Sequence, residues 1–425
     1  MSGGRCLTAV AAQDALRTGA TTMAGVVGGC LDRIRQRDGA VHAWAHLDSA
    51  GALTAAGSPG GVPGPLAGAT VGVKDIIDVA GLPTAYGSPI FAGQVAERDA
   101  ECVARLRAAG AVILGKTVTA EFATYSPGPT VNPHRGGHTP GGSSSGSAAA
   151  VADGQVAIAL GTQTAGSMIR PGSYCGVFAF KPSFGRYPLG GVLPTAPSLD
   201  TLGVFARTLD DICIADAVLA GAAGGAAAGP SPVIGLCRSP AWDAADEAMQ
   251  GALLAFADTL RAAGFIVRDR VLPPLYGQLA AAQALIHCRE AFEALGPIAA
   301  SHPDGISTAL REFMAAGAAV TPELYAEARD IQRRCQALTG EAFGGVDMLL
   351  VPGATGAAPP GLASTGDPAF QRLWTALGVP CLGFPAARAA NGLPLGLQLI
   401  APPGGDLALL ANAAAVVACA VPAKE

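Results

Sequence analysis

The sequence predicts an α/β fold with one mixed central β-sheet flanked by helices on both faces. Short apolar runs such as Val156–Leu160 and Val346–Val351 have the length of buried strands. They alternate with longer amphipathic segments, which favours layers of helix packed on sheet. Of the 425 residues, 50% are hydrophobic and 14% are charged, which is enough apolar material for a large core.

The elements of the first part of the chain follow from these patterns. Residues 1–65 are predicted to be mostly helical. The apolar, β-branched stretch Ala67–Val79 predicts a strand that carries Lys74. Asp99–Ala109 is amphipathic and predicts a helix, and Ala111–Leu114 predicts a buried strand after it. A helix is expected from Ser147 to Ala152, before the Val156–Leu160 strand.

The second part of the chain contains a long region with helical character. Gly221–Pro232 is rich in Gly, Ala and Pro and predicts a connector. Gln278–Ala300 and Thr321–Gly340 predict long helices, so residues from about 240 to 340 are interpreted as a helical excursion. Cys381–Pro385 and Leu395–Ile400 return to strand.

Charge and cysteine content limit the classes of function. The net charge of −5 and the absence of a basic stretch argue against a nucleic-acid partner. The most apolar segment, Leu407–Ala423, contains Asn412 and Pro422, so it predicts a buried helix N-capped near Asp406 rather than a membrane span. No signal peptide is recognised, and the ten cysteines are scattered without a Cys-x-x-Cys pair. We therefore expect reduced thiols and a cytoplasmic protein.

Three separated segments carry residues suited to one reaction. They are Gly72–Asp75 with Lys74, the Ser/Gly block Gly141–Ser147 with Ser143, and Gly161–Ser167 with Ser167. A serine hydroxyl is a weak nucleophile unless a base takes its proton. Burial lowers the pKa of a lysine and can make it that base. A lysine and two serines can therefore cleave an amide without a histidine.

These segments resemble the amidase signature family, whose members use a Ser–cis-Ser–Lys triad, and the resemblance covers nearly the whole chain. The Ser/Gly block is its most specific part. The other matching segments are Gly72–Asp75, Gly81–Thr84, Gly115–Thr117, Glu121-Phe122, Cys175-Gly176, Lys181–Ser183, Leu199–Gly203 and Gly392–Gln398. The resemblance implies a single domain over residues 1–425, with the helical excursion lying over the site.

Within the family, the chain is most similar to malonamidase-like members. This similarity rests on Asn132–His134, on Gln163 within Gly161–Ser167, and on Ser364–Pro368. The resemblance implies that Ser167 is the nucleophile, that Lys74 is the base, and that Ser143, after a cis peptide bond, relays the proton. Cys175, eight residues after Ser167, is an alternative nucleophile, although a packing role is the simpler interpretation.

The residues before the nucleophile predict an oxyanion hole. The glycine-rich run Thr164, Ala165 and Gly166 can turn successive backbone N–H groups toward one point. In this family Ser144 is expected to support the site and to contribute to substrate binding.

Substrate selection is assigned to Arg170, three residues after Ser167. The resemblance implies that this arginine binds a free carboxylate of the substrate, which a guanidinium does well. A structural salt bridge with Asp200 is the alternative. His287 stands where malonamidase-like members have a substrate-contacting glutamine, so the preferred acid need not be malonamate.

Three lookalike patterns do not fit their surroundings. Gly142–Gly146 matches the Gly-x-Ser-x-Gly nucleophile elbow, but the residues before it cannot form the strand that this motif requires. Gly110–Thr117 matches a phosphate-binding loop, but its four variable positions are apolar and predict a core strand. His134 and His138 have the spacing of some zinc sites, but two glycines separate them and argue against a metal helix.

The sequence thus predicts an amidase that cleaves the C–N bond of a small, carboxylate-bearing amide through an acyl-serine intermediate. No cofactor or metal is expected, no membrane partner is expected, and a homodimer is possible. Two alternatives stay open: the amidase-like component of a tRNA-dependent amidotransferase, and an amidase for neutral aliphatic or aryl amides. A catalytically dead binding protein is disfavoured because all three triad positions are filled.

Overall fold

The computed structural model describes residues 4–57, 64–221 and 231–420. Its centre is one eleven-stranded sheet with the strand order β1-β3-β2-β4-β6-β5-β10-β11-β9-β7-β8. The strands are β1 (Trp44–Leu47), β2 (Thr70–Lys74), β3 (Val112–Thr117), β4 (Ile158–Gln163), β5 (Phe178–Lys181), β6 (Thr201–Ala206), β7 (Ile234–Cys237), β8 (Val267–Arg270), β9 (Met348–Pro352), β10 (Cys381–Arg388) and β11 (Pro394–Ile400).

Helices cover the sheet, and some of them pack mainly on other helices. They are α1 (Ala9–Arg17), α2 (Met23–Val41), α3 (Ser49–Gly57), α4 (Glu101–Ala108), α5 (Ser145–Ala152), α6 (Ile169–Cys175), α7 (Leu209–Ala220), α8 (Glu247–Ala262), α9 (Tyr276–Ser301), α10 (Thr308–Ala318), α11 (Pro322–Ala337), α12 (Thr339–Phe343), α13 (Ala369–Leu377) and α14 (Asp406–Val417). Both α10 and α11 pack against the long helix α9.

The sheet is mixed, and one of its two parallel parts, formed by β2, β3 and β4, matters most for the site. Strand β2 pairs in parallel with β3 on one side and with β4 on the other. Strand β6 then runs antiparallel to β4, with Gln163 opposite Thr201. Parallel strands end at the same edge of a sheet, so the chain leaves β2 and β4 at neighbouring points.

Apolar residues on both sides of the sheet form two large core clusters. In β4, Ile158 and Leu160 belong to one cluster and Ala159 to the other. In β9, Leu350 belongs to the first cluster and Leu349 to the second. Because successive side chains of a strand point to opposite faces, this alternation shows that helices cover both faces. The predicted fold class, an α/β domain with a large mixed sheet flanked by helices, is confirmed.

Several elements differ in detail from the predictions. The described part of the region 1–65 holds three helices but also the short edge strand β1. Strand β3 continues through Lys116 and Thr117, which are buried, so the phosphate-loop lookalike is a core strand. Residues 222–230 of the predicted connector lie outside the described residues.

Within the described parts of the chain, no helix combines the length and the apolar character needed to cross a membrane. The predicted C-terminal helix is α14, which starts at Asp406 and buries Leu409, Ala413 and Val416.

Candidate active site

Two of the three predicted triad residues, Lys74 and Ser143, are in contact at the edge where β2 and β4 end, and Ser167 lies on the loop that follows β4. Lys74 is the last residue of β2, and the loop that carries Ser167 begins directly after β4. The Gly142–Ser143 peptide bond is cis, and Ser143 lies just before α5. Strand pairing therefore brings together residues that lie far apart in the sequence.

Lys74 forms hydrogen bonds with two hydroxyl groups. Its Nζ atom donates to Ser143 Oγ at 2.8 Å and to Thr162 Oγ1 at 2.8 Å. All three side chains are buried, and Lys74 has no exposed surface. Thr162 belongs to β4, so the lysine is held by the strand that leads to Ser167 as well as by the Ser/Gly block.

The surroundings of Lys74 favour the neutral amine. Burial lowers its pKa to about 7, and the negative charge of Asp200 opposes this shift. The nearby Lys116 differs, because its Nζ atom lies 3.0 Å from Asp75 Oδ1 in a buried ion pair. Among the described residues, no carboxylate makes such a pair with Lys74. A large fraction of Lys74 is therefore available as a base near neutral pH.

The loop that carries Ser167 is held by side chains on both sides. Gln163 Oε1 accepts hydrogen bonds from the backbone N–H groups of Met168 and Ile169, at 2.9 and 3.1 Å. Gln283 Nε2 donates to the carbonyl of Thr164, and Thr375 Oγ1 donates to that of Ala165. These contacts fix the carbonyl groups of the loop away from the nucleophile.

The N–H groups of the same loop remain available. Within the described residues, no hydrogen bond uses the backbone N–H of Thr164, Ala165, Gly166 or Ser167. A Cβ atom on Gly166 would lie 2.8 Å from Pro368 Cβ and 3.0 Å from both Arg170 Nη1 and Gln371 Oε1. Only glycine fits this position without displacing its neighbours, and the free N–H groups can bind an oxyanion.

Arg170 is buried beside this loop and lacks a partner for one of its nitrogens. Its Nε donates to the carbonyl of Thr365 at 2.7 Å, and its Nη2 donates to the carbonyl of Gly142 at 2.8 Å and to Thr365 Oγ1 at 3.0 Å. Among the described residues Nη1 has no hydrogen-bond partner, and burial lowers the pKa of the guanidinium to about 10. The arrangement leaves a cationic donor free for an anionic group.

A small cavity of about 30 Å³ lies beside the nucleophile loop and Arg170. This volume is roughly the space of two water molecules. Its lining comes from the nucleophile loop, the segment after Phe122, helix α9 and the segment before α13: Ala123, Thr124, Tyr125, Thr164, Ala165, Gly166, Ser167, Arg170, His287, Thr365, Gly366 and Pro368. Tyr125 and His287 both pack against Phe313 of α10, with ring centroids 5.0 Å apart in each pair. The helical excursion thus supplies one wall of the cavity.

His287 is buried in that wall, and neither ring nitrogen has a hydrogen-bond partner within the described part of the chain. Burial is the main cause that lowers its pKa to about 3, and the positive charge of Arg372 acts in the same direction. The imidazole is therefore neutral at physiological pH and offers one donor and one acceptor to a ligand.

The structure gives other predicted residues different surroundings. Ser144 is fully buried and outside the cavity lining, because its hydroxyl donates to the carbonyl of Thr162 and accepts from its N–H. This position supports β4 rather than a substrate. Cys175 is buried against the carbonyl of Pro140, and burial raises the pKa of its thiol, so it is a packing residue. Asp200 binds Thr164, and the salt bridge considered between Asp200 and Arg170 is not formed.

Three residues of the site were missed by the sequence reasoning. Thr162 binds Lys74, Gln163 clamps the nucleophile loop, and Thr365 orients Arg170. All three lie inside segments that the family resemblance had marked, Gly161–Ser167 and Ser364–Pro368. Their presence in those segments was the available signal, but their hydrogen bonds depend on tertiary contacts.

Known proteins are similar to this chain in sequence and in fold over most of its length. The family model described as Amidase matches residues 26–410. The 2-amino-5-chloromuconic acid deaminase of Comamonas testosteroni is 33% identical over 84% of this chain and 82% of its own. A glutamyl-tRNA(Gln) amidotransferase subunit from Chloroflexus aggregans is 32% identical over 95% of this chain and 94% of its own.

Solved structures agree with these matches. A crystal structure of an amidase superposes with a TM-score of 0.90 at 31% identity, over 98% of this chain and 100% of that one. A peptide amidase from Stenotrophomonas maltophilia superposes with a TM-score of 0.80 at 26% identity, over 97% and 96%. The chain belongs to the amidase signature family and is a hydrolase of C–N bonds in amides.

Proposed function

We propose that this amidase hydrolyses a small amide that carries a free carboxylate, such as malonamate, through an acyl-enzyme on Ser167. The observation that carries this proposal is Arg170, which lines the same cavity as Ser167 and whose buried Nη1 has no hydrogen-bond partner among the described residues. A buried guanidinium with an unused donor favours a ligand with negative charge, because an anion supplies both the partner and the countercharge.

In the proposed reaction, Ser167, Ser143 and Lys74 act in turn. Ser167 Oγ attacks the amide carbonyl while its proton passes through Ser143 to the neutral Lys74. The N–H groups of the nucleophile loop hold the oxyanion that forms. The tetrahedral intermediate collapses as Lys74 returns the proton, by way of Ser143, to the leaving nitrogen, and ammonia departs.

The second half of the reaction uses the same groups. Water takes the place of ammonia and attacks the carbonyl carbon of the acyl-Ser167 ester, while one of its protons passes through Ser143 to Lys74. The tetrahedral intermediate then breaks its bond to Ser167 Oγ, Lys74 returns the proton through Ser143 to that oxygen, and the acid leaves. Because Lys74 alternates between base and acid, it must be able to exist in both forms near the working pH.

Two further observations support a small acid as substrate. The cavity beside Ser167 is small, about 30 Å³, which favours a short acyl group over a long one. The relative from Comamonas testosteroni is named for an acid, 2-amino-5-chloromuconic acid. His287, with two free ring nitrogens among the described residues of the same cavity, would supply a neutral hydrogen bond to the bound acyl group.

Ammonia release from matched amides tests the proposal. Malonamate and malonamide have the same chain length and differ in one carboxylate, and succinamate adds one methylene. We expect a kcat/KM for malonamate at least about 30-fold above that for malonamide, since a buried charge pair contributes about 2 kcal/mol or more. Equal values for the two compounds would remove the carboxylate from the proposal and favour an amidase for neutral amides.

The same assay addresses the amidotransferase alternative. The relative from Chloroflexus aggregans is named as part of a glutamyl-tRNA(Gln) amidotransferase and matches nearly the whole chain. An amidase of the proposed kind is active as a purified single chain. Ammonia release from glutamine that appears only after partner proteins have been added would overturn the proposal in favour of the amidotransferase.

A further inference from the structure

Asp200 lies opposite the nucleophile loop, at the place where the ladder between β4 and β6 ends. Gln163 pairs with Thr201, so the next residues outward, Thr164 and Asp200, face each other. Thr164 Oγ1 donates a hydrogen bond of 2.5 Å to Asp200 Oδ1. Thr164 also lines the catalytic cavity, so this contact joins Asp200 directly to the loop that carries Ser167.

The other carboxylate oxygen of Asp200 is anchored to the backbone. Oδ2 accepts N–H groups from Thr195 at 2.8 Å and from Ala196 at 2.9 Å. Asp200 is 8% exposed, and it lines a second cavity of about 280 Å³ together with Thr162. The side chain thus has one fixed orientation, with Thr164 on one side and the 195–196 turn on the other.

Two charged groups on other elements interact electrostatically with Asp200. They are Lys74 of β2 and Glu290 of α9. Burial raises the pKa of Asp200 to about 6, with a smaller contribution of the same sign from Glu290, while the hydrogen bonds from Thr164, Thr195 and Ala196 lower it. The carboxylate is therefore mostly charged at neutral pH. That charge is the cause that raises the pKa of Lys74 against the effect of burial.

We propose that Asp200 is a positioning residue for the reaction, which holds the nucleophile loop through Thr164 and presents one negative charge to the buried Lys74. The inference rests on the proposed catalytic roles of Ser167 and Lys74. It assigns to one carboxylate two separable effects, a geometric one on the loop and an electrostatic one on the base.

The two effects predict different changes in pH dependence. When the charge of Asp200 is removed, only burial acts on Lys74, so the pKa of Lys74 falls. The acidic limb of the rate profile, where the rate rises with pH, then moves to lower pH. Removing only the hydrogen bond keeps the carboxylate but raises its pKa, so the limb moves less than when the carboxylate is removed, and the rate on the plateau falls. A small displacement of a nucleophile can reduce rates by about 10- to 100-fold.

The test measures labelling of Ser167 by a small fluorophosphonate between about pH 5 and 9, because this reaction needs no knowledge of the natural substrate. Asp200→Asn removes the charge, and Thr164→Val removes the hydrogen bond alone. Thr164→Ser keeps the hydroxyl and serves as the conservative variant. Glu290→Gln removes a nearby buried carboxylate that does not act on the pKa of Lys74, and it is the matched charge control.

We expect the acidic limb to move to lower pH in Asp200→Asn, to move less in Thr164→Val, and to keep its position in Thr164→Ser and Glu290→Gln. The plateau rate should fall by about 10-fold or more in Thr164→Val and recover in Thr164→Ser. A folded Asp200→Asn protein whose limb does not move overturns the inference, as does a Glu290→Gln protein with the same shift. If Asp200→Asn does not fold, Asp200→Glu replaces it. The longer side chain of glutamate displaces Thr164 and should lower the plateau rate, so an unchanged plateau rate in this variant overturns the inference.

The outcome also separates this inference from the proposed function. A wild-type protein that is not labelled on Ser167 at any pH removes the catalytic assignment, and the inference falls with it. A wild-type protein that is labelled on Ser167, with no movement of the limb in Asp200→Asn, refutes the role of Asp200 alone.

Discussion

Replacing Arg170 by leucine should separate carboxylate-bearing substrates from neutral ones. The change removes the free Nη1 donor and the three hydrogen bonds to Thr365 and Gly142. The two carbonyl groups left without a donor lie beside the site, and each unpaired buried group costs about 1–3 kcal/mol. This structural cost falls on every substrate alike, because the enzyme bears it before any substrate binds.

The loss of the substrate contact adds to that cost only for a charged amide. A buried, charge-assisted pair contributes about 2–5 kcal/mol, which corresponds to a factor of about 30 or more in kcat/KM. The informative quantity is therefore the ratio of kcat/KM for malonamate to that for malonamide. We expect Arg170→Leu to lower this ratio by about 30-fold or more. The structural cost that both substrates share cancels in the ratio.

Two further variants control the interpretation. Arg170→Lys keeps the positive charge but cannot make the planar two-bond contact, so it should recover only part of the ratio. Thr365→Val removes one hydrogen bond that orients Arg170 and keeps the guanidinium, so the ratio should change much less than in Arg170→Leu. If Arg170→Leu lowers both kcat/KM values equally, Arg170 is structural and the small-acid proposal is wrong.

Three more predictions concern the catalytic residues and a nearby ion pair. Ser167→Ala should lower kcat by about 10⁴-fold or more while the melting temperature is kept, and a fluorophosphonate adduct found by mass spectrometry on any residue other than Ser167 would contradict its role. Burial holds the pKa of Lys74 at about 7, so wild-type kcat/KM should rise with pH through about 7 and then level off, whereas a flat profile from about pH 5 to 9 with rate-limiting chemistry would exclude lysine as the base. Lys116→Met leaves the buried carboxylate of Asp75 unpaired and should lower the free energy of unfolding by about 3–5 kcal/mol in urea titrations, whereas a loss below about 1 kcal/mol would contradict a buried ion pair between Lys116 and Asp75.

Most of the fold was predictable because strands and helices leave different periodicities in the sequence. The runs that became β4, β9, β10 and β11 are apolar over the length of a strand, and the long helices α9 and α11 are amphipathic over many turns. The edge strand β1 has four residues and is partly exposed, so its pattern is hidden by that of the helices around it. Strand order and register depend on contacts between distant segments and could not be read from local pattern.

The candidate site could likewise be predicted only in part. Lys74, Ser143 and Ser167 could be named because their segments resemble those of a known family, and the geometry brings Lys74 and Ser143 into contact. The surroundings of Arg170 could not be predicted. Whether an arginine is paired with Asp200 or left with a free nitrogen depends on where Thr365 and Gly142 place their carbonyl groups.

Contacts between distant residues also make the site a reporter on folding of the whole chain. The bond from Lys74 to Ser143 spans 69 residues, and the bond from Arg170 to Thr365 spans 195. No fragment shorter than these separations contains a complete set of partners, so catalysis can begin only after β2, β4 and the segment before α13 have docked. The recovery of activity during refolding should therefore lag behind the recovery of helical circular dichroism, because local helices form before long-range contacts close.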